Sequence, residues 1–300
     1  MAAESRCPGR ASQKNLKIFT LLFFCDIFMT SSEVVLWISS KEVDMHITAK
    51  VAFECIGSGL LSCPRVAKDF LFLPDRMHRR CVLGVAGMGL LLIGCFIAYA
   101  YVEKYQLTDS FLYGQVEFSF IDRGYPEIFG YALELSASAL FLLFAVAHHK
   151  KSWFAWSAIM FIIFLDDAFK LHESIGHAYV ALWGLNPVPG DLLGFATTGL
   201  FAVTCWAVGV TTITTQEDFS AYLLFSFYFA LLIFFGVGID ALHGLFGANV
   251  SQTVFTLAED GGELLMTAMI ALSALGMWLR QKHAVINTGR MPLNSAVSKL

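Results

Sequence analysis

The residues able to do chemistry are acids and histidines set inside apolar sequence. Glu134 is the seventh residue of a stretch, 128–147, that is otherwise uncharged up to its closing histidines. Asp166 and Asp167 follow only 13 apolar residues, 153–165. Glu259, Asp260 and Glu263 precede the last apolar run, 264–279, and Asp240 with His243 closes the one before it. Helical spacing groups these residues. Asp166, Lys170, Glu173 and His177 stand at i, i+4, i+7 and i+11, which predicts one face of a continuous helix, with His172 beside it. Asp240 and His243 stand at i, i+3, Glu259 and Glu263 at i, i+4, and Glu127 and Glu134 share a face seven residues apart.

Carboxylates and imidazoles projecting inward from bundled helices are the donors of oxygen- and nitrogen-ligated metal sites. Glu134, Asp166, Asp167, His172, Glu173, His177, Asp240, His243, Glu259, Asp260 and Glu263 are therefore the candidate ligands of a divalent metal, zinc, iron or manganese. A hydrolytic zinc site would use His172 or His177 with His243 and one acid, leaving another acid as base. The paired Glu-x-x-His pattern of di-iron bundles, the His-x-x-x-His boxes of membrane desaturases and His-Glu-x-x-His are all missing. Simpler roles compete. Glu259 and Asp260 suit a helix N-terminus, where carboxylates complement the dipole. Asp240 with His243 suits a helix end, and His172 and His177 suit a polar interfacial end. Neither role covers Glu134 or the Asp166–Asp167 pair. A carboxylate at bilayer depth costs roughly 2.5–3.5 kcal/mol, so these groups must face the bundle interior and be paired, protonated or bound to a cation.

The elements that must position them follow from composition. Of 300 residues, 57% are hydrophobic and 15% charged, 28 are Phe, and the mean hydropathy is +0.64. A soluble domain carries about 25% charged residues, so the chain is an all-α integral membrane protein whose first partner is the lipid bilayer. Its net charge of -4 offers no basic field for nucleic acid. Seven cysteines without a CxxC pair indicate neither a disulfide framework nor a thiolate zinc site, and packed free thiols are expected.

Six core spans are expected at about 81–102, 128–147, 153 to the acids at 166, 192–213, 220–245 and 255–279. Gly84, Gly87, Gly89 and Gly94 offer the first of them small-residue contact surfaces. The chain divides into an N-terminal segment, 1–80, with one or two further spans, a six-helix core, 81–283, and a tail, 284–300. The start carries Arg6, Arg10, Lys14 and Lys17 before an apolar run, without a small-x-small cleavage site, which predicts a retained anchor. Asn249-Val250-Ser251 matches a glycosylation sequon by chance. Basic residues at 76–80, 150–151 and 280–282 fall on one side of the threaded bundle, so that side and the C-terminus are expected to be cytoplasmic. The same threading brings the acids and histidines of four helices to one layer near the opposite surface. Gly261 and Gly262 let a neighbour approach that layer or loosen the helix start, and Gly236 and Gly238 loosen the fifth span.

The stretches Asp122-Arg123-Gly124-Tyr125-Pro126-Glu127, Leu165-Asp166-Asp167 with Leu171-His172-Glu173, and Glu259-Asp260-Gly261-Gly262-Glu263 resemble a pattern in uncharacterised bacterial multi-pass membrane proteins, over about residues 105–275. That family carries no assigned activity and transfers no catalytic residue. It implies that the outer acidic loop belongs with the intramembrane acids, and that the membrane is the bacterial inner membrane. The closing His-x-x-x-His of the seven-helix hydrolases related to alkaline ceramidases is missing. The expected function is a metal-dependent enzyme acting in the outer leaflet on a membrane-delivered substrate. A cation- or proton-coupled transporter and a membrane sensor or assembly protein are the alternatives.

Overall fold

The structure, a computed structural model, describes residues 64–120, 123–184, 187–239, 242 and 252–288. Among them it is helical, with no strand. A short helical stretch, 64–71, leads into α1 (Arg76–Lys104), α2 (Tyr125–His148), α3 (Lys151–Phe169), α4 (Leu171–Trp183), α5 (Pro187–Thr211), α6 (Gln216–Ile233) and α7 (Gln252–Thr288). α6 continues as a π-helical turn, Phe234–Ile239. Six of these are long and apolar enough to cross a membrane: α1, α2, α3, Leu192–Thr211 of α5, α6 with its π turn, and Thr253–Lys282 of α7. The expected all-α membrane bundle with six core spans is therefore observed. The anticipated N-terminal spans, Asp240, His243 and the Asn249 sequon lie outside the described residues.

Caps fix the ends. Asp75 accepts from the His78 N–H at 2.8 Å and starts α1. α2 starts at Gly124 with Pro126 in its first turn, where a missing N–H costs nothing. Glu127 Oε2 accepts from the Arg123 N–H at 2.8 Å, satisfying a donor at the same end. α2 stops at His149 in the left-handed region, and Thr215 caps α6 by accepting from the Asp218 N–H.

α7 is the hub, touching α1, α2 and α6, while α2 packs on α3, α3 on α5, and α5 on α4. Between α2, α3 and α6 an aromatic cluster fills one half of the bundle. Phe141, Phe144, Trp153, Trp156, Tyr222 and Phe225 are each under 2% exposed. Phe141 stacks on Trp153 with centroids 5.8 Å apart and meets Phe225 edge-on at 4.9 Å. Such pairs add about 0.5–1.5 kcal/mol each beyond burial. Toward the other half, Ser138 and Ser157 exchange hydrogen bonds with each other's carbonyls at 2.9 and 3.0 Å, bringing α2 and α3 close with their polar atoms satisfied.

Ion pairs mark the aromatic end. Lys150 Nζ reaches both oxygens of the buried Asp218, at 2.6 and 2.8 Å, and Arg280 reaches Asp69 at 3.3 Å. The buried His78 ring lies 3.4 Å from the Leu272 carbonyl. These contacts gather the basic clusters before α1, after α2 and at the end of α7 at one end, as the threading requires.

A Cβ on Gly84, Gly87, Gly89 or Gly94 would meet no described atom within 4 Å, so among the described residues no helix uses this surface of α1. Glycines that admit a described neighbour lie elsewhere. On Gly276 a Cβ would overlap the Phe70 carbonyl oxygen, and on Gly194 that of His172. The cysteines within reach, Cys81, Cys95 and Cys205, are free and half-buried.

Candidate functional site

At the end opposite the aromatic cluster, a cleft of about 190 Å³ opens among α2, α3, α4 and α7. α2 contributes Pro126, Glu127, Gly130, Tyr131 and Glu134; the α3–α4 junction contributes Asp166, Asp167, Lys170, His172 and Glu173. α7 contributes Asp260, Glu263, Leu264 and Thr267, and Phe120 closes one side. Acids of three of the four spans in the expected layer thus converge here, while those of the fifth, Asp240 and His243, lie outside the described residues. Seven carboxylates (Glu127, Glu134, Asp166, Asp167, Glu173, Asp260 and Glu263) face Lys170 and His172.

The third span does not run on as one helical face. Lys170 adopts φ 52, ψ 52, a left-handed conformation that ends α3 and begins α4. The i, i+4, i+7, i+11 register therefore breaks, and His177 is carried to an exposed position on α4, away from the cleft lining. A non-glycine residue pays roughly 1–2 kcal/mol for this conformation. Asp166 compensates. Its carbonyl accepts from the Lys170 N–H, and its Oδ1 accepts from the His172 N–H at 2.7 Å, satisfying a donor at the start of α4. Gly194 then lets the α5 backbone approach the His172 carbonyl, and Gly190 approaches the Gly176 carbonyl.

The same bend aims His172. Its Nδ1 donates to Asp166 Oδ1 at 2.9 Å, and its ring stacks on Phe195 with centroids 3.7 Å apart. Both restraints fix the ring, and a donor at Nδ1 leaves Nε2 with the lone pair that can take a proton or bind a metal. Lys170 Nζ meets Glu173 Oε1 at 3.4 Å, with both side chains at least 40% exposed, so this pair adds little stability.

Glu134 is the deepest acid, 4% exposed. Its carboxyl group meets that of Asp167 within hydrogen-bonding reach across α2 and α3. Its Oε2 has no hydrogen-bond partner among the described residues. Two facing carboxylates cannot both keep their charge away from water without a proton or a cation between them. Glu127, by contrast, accepts from Tyr131 Oη at 2.6 Å besides capping α2, which makes it a structural member of the rim.

Of the candidates named from sequence, Glu134, Asp166, Asp167, His172, Glu173, Asp260 and Glu263 line the cleft, and Glu259 does not. Among the described residues no three His, Cys, Asp or Glu side chains stand in a geometry ready to hold a metal ion. Tyr131 and Thr267 were not anticipated. Tyr131 was findable at four residues beyond Glu127, the spacing that places its hydroxyl over the acid. Nothing in the sequence marks Thr267 apart from other polar residues of a buried helix.

Residues 81–278 match the model of a family described as Domain of unknown function (DUF8692). The match covers the stretches that carry the resemblance to a family without assigned activity. No match was found among curated proteins or among solved structures.

Proposed function

The chain belongs to the DUF8692 family, and from that premise we propose a membrane-embedded, cation-dependent enzyme working from one surface of the bilayer on a membrane-delivered substrate. The observation that carries the proposal is the contact between the Glu134 and Asp167 carboxyls, with Glu134 Oε2 buried and unpartnered among the described residues. A divalent cation beside these two acids, with the Glu263 carboxylate moved in as third donor, would satisfy that oxygen and offset the charge. Zinc, iron or manganese so held would supply Lewis-acid activation of water or of a substrate oxygen.

The chain's own residues divide the remaining work. Asp166 orients the His172 ring through Nδ1, which leaves Nε2 turned to proton transfer at the cleft. Phe195 and the α4–α5 glycine contact hold that ring rigidly. Ser138, Ser157 and the aromatic cluster beneath Glu134 keep water from the far half of the bundle. That same filling supports an enzyme over a carrier, because an ion leaving the cleft inward meets packed aromatic side chains. The distribution of basic residues supports placing the cleft on the outer side and the C-terminus in the cytoplasm, and the sequence resemblance supports a bacterial inner membrane.

One observation favours a second reading, a cation- or proton-coupled transporter. The π turn in α6 carries Gly236 beside Glu263, and interrupted helices at buried acids are the habit of transporters.

Metal content decides. Protein purified in detergent without metal-affinity resin is measured by plasma mass spectrometry beside a Glu134→Gln, Glu263→Gln double variant. About one equivalent of zinc, iron or manganese in the wild type, lost in the folded variant, is expected. No bound metal, with stabilisation only by millimolar cations, would overturn the enzyme reading in favour of transport.

A further inference from the structure

We propose that Gly236 is a positioning residue of the cleft, the bare seat on which the Glu263 carboxylate rests. Its functional consequence rests on the reading of Glu263 as a cation ligand; its geometry does not. α6 changes from α to π winding over Phe234–Ile239. Such turns are rare and concentrate at functional sites. Within this one, a Cβ on Gly236 would overlap Glu263 Oε1. One residue before Glu263, a Cβ on Gly262 would overlap the Phe235 ring. The two helices therefore interlock reciprocally. Each gives up a side chain where the other puts one in, and Glu263 is one of the two keys.

The kind of atom in the way separates this seat from an ordinary packing glycine. At Gly194 and Gly276 the obstacle is a backbone carbonyl, which cannot move without its helix. At Gly236 it is the free end of a glutamate, which swings away by rotation about side-chain bonds. Alanine at 236 thus leaves the fold standing and displaces the carboxylate. A glycine serving only helix packing would do the reverse, lowering stability and leaving Glu263 where it was.

The full chain in detergent is treated with dicyclohexylcarbodiimide, an apolar reagent for membrane carboxyl groups, and modification at Glu263 and Glu134 is read by peptide mass spectrometry. In Gly236→Ala, labelling at Glu263 is expected to change more than labelling at Glu134, with the melting temperature within about 3 °C of wild type. Unchanged labelling at Glu263, or a melting temperature lowered as far as in Gly194→Ala, would overturn the seat. Manganese-dependent stabilisation is measured in parallel. Gly236→Ala is expected to weaken apparent affinity about tenfold, in the range typical of groups that orient ligands, and to add nothing in a Glu263→Gln background. A wild type that ignores manganese would remove the cation reading, and the labelling result would still decide the seat.

Discussion

Asp166 accepts two hydrogen bonds from His172 through one oxygen, Oδ1: the backbone N–H at 2.7 Å and the ring Nδ1 at 2.9 Å. A single carboxylate therefore caps α4 and orients the imidazole, so the bend in the third span and the aim of the histidine depend on the same atom. Replacing it by alanine should do two separable things. Loss of the cap costs about 1 kcal/mol, read by thermal denaturation in detergent. Loss of the acceptor frees the ring, and nitrogen NMR of labelled histidine should show the Nδ1–H tautomer giving way to a mixture. Asp166→Asn keeps an acceptor oxygen and should preserve both. An Asp166→Ala protein with wild-type stability and tautomer would sink the assignment.

Glu134 faces Asp167 with one oxygen unpartnered among the described residues, an arrangement that the proposed cation would relieve. Glu134→Gln supplies a donor and removes a buried charge. We expect its metal-free form to melt at or above wild type. Stabilisation by manganese, about 2.7 kcal/mol at a hundredfold excess over Kd for a single site, should be lost. A metal-free variant less stable than wild type, with the manganese response intact, would contradict the cation role.

Glycines in this chain are not interchangeable. Gly194→Ala and Gly276→Ala press a methyl group on the carbonyls of His172 and Phe70 and should each cost about 1–3 kcal/mol. Gly87→Ala meets no described atom and should be neutral, or stabilising by up to roughly 1 kcal/mol through helix propensity. A melting series across the three variants checks the order.

Lys150 and the buried Asp218 clasp the α2–α3 turn to the start of α6, with Thr215 Oγ1 donating to the same carboxylate at 2.6 Å. Lys150→Met leaves Asp218 short of its counter-charge and should cost about 2 kcal/mol. Adding Asp218→Asn should recover part of that loss. A double-mutant cycle with coupling below about 0.5 kcal/mol would show that the two residues act independently.

Why the acid layer could be read in advance is a matter of length. Thirteen apolar residues before Asp166 are too few to cross a bilayer, and Glu134 had nowhere else to go. Threading six spans then had to bring these acids to one end, where α2, α3 and α7 do place Glu134, Asp167 and Glu263. The bend at Lys170 could not be read, since neither glycine nor proline announces it. It is held by a local cap from Asp166 and by the approach of the α5 glycines, which sequence spacing does not reveal, and His177 leaves the predicted face with it. The glycines teach a related lesson. A glycine declares that a neighbour could come close, and only the packing of the other helices decides which one does, as α5 does at Gly194 and the segment before α1 at Gly276.

The aromatic filling below Ser138 and Ser157 has a kinetic corollary. Among the described residues the cleft is closed at the bottom, so on the proposed reading whatever leaves toward that side is blocked and must pass where the next occupant enters. For an enzyme built this way, product and incoming substrate exclude each other, and turnover slows as product accumulates in the bilayer around it. The surrounding lipid would then act as a throttle on the cleft, set by how quickly spent molecules diffuse away in the plane of the membrane.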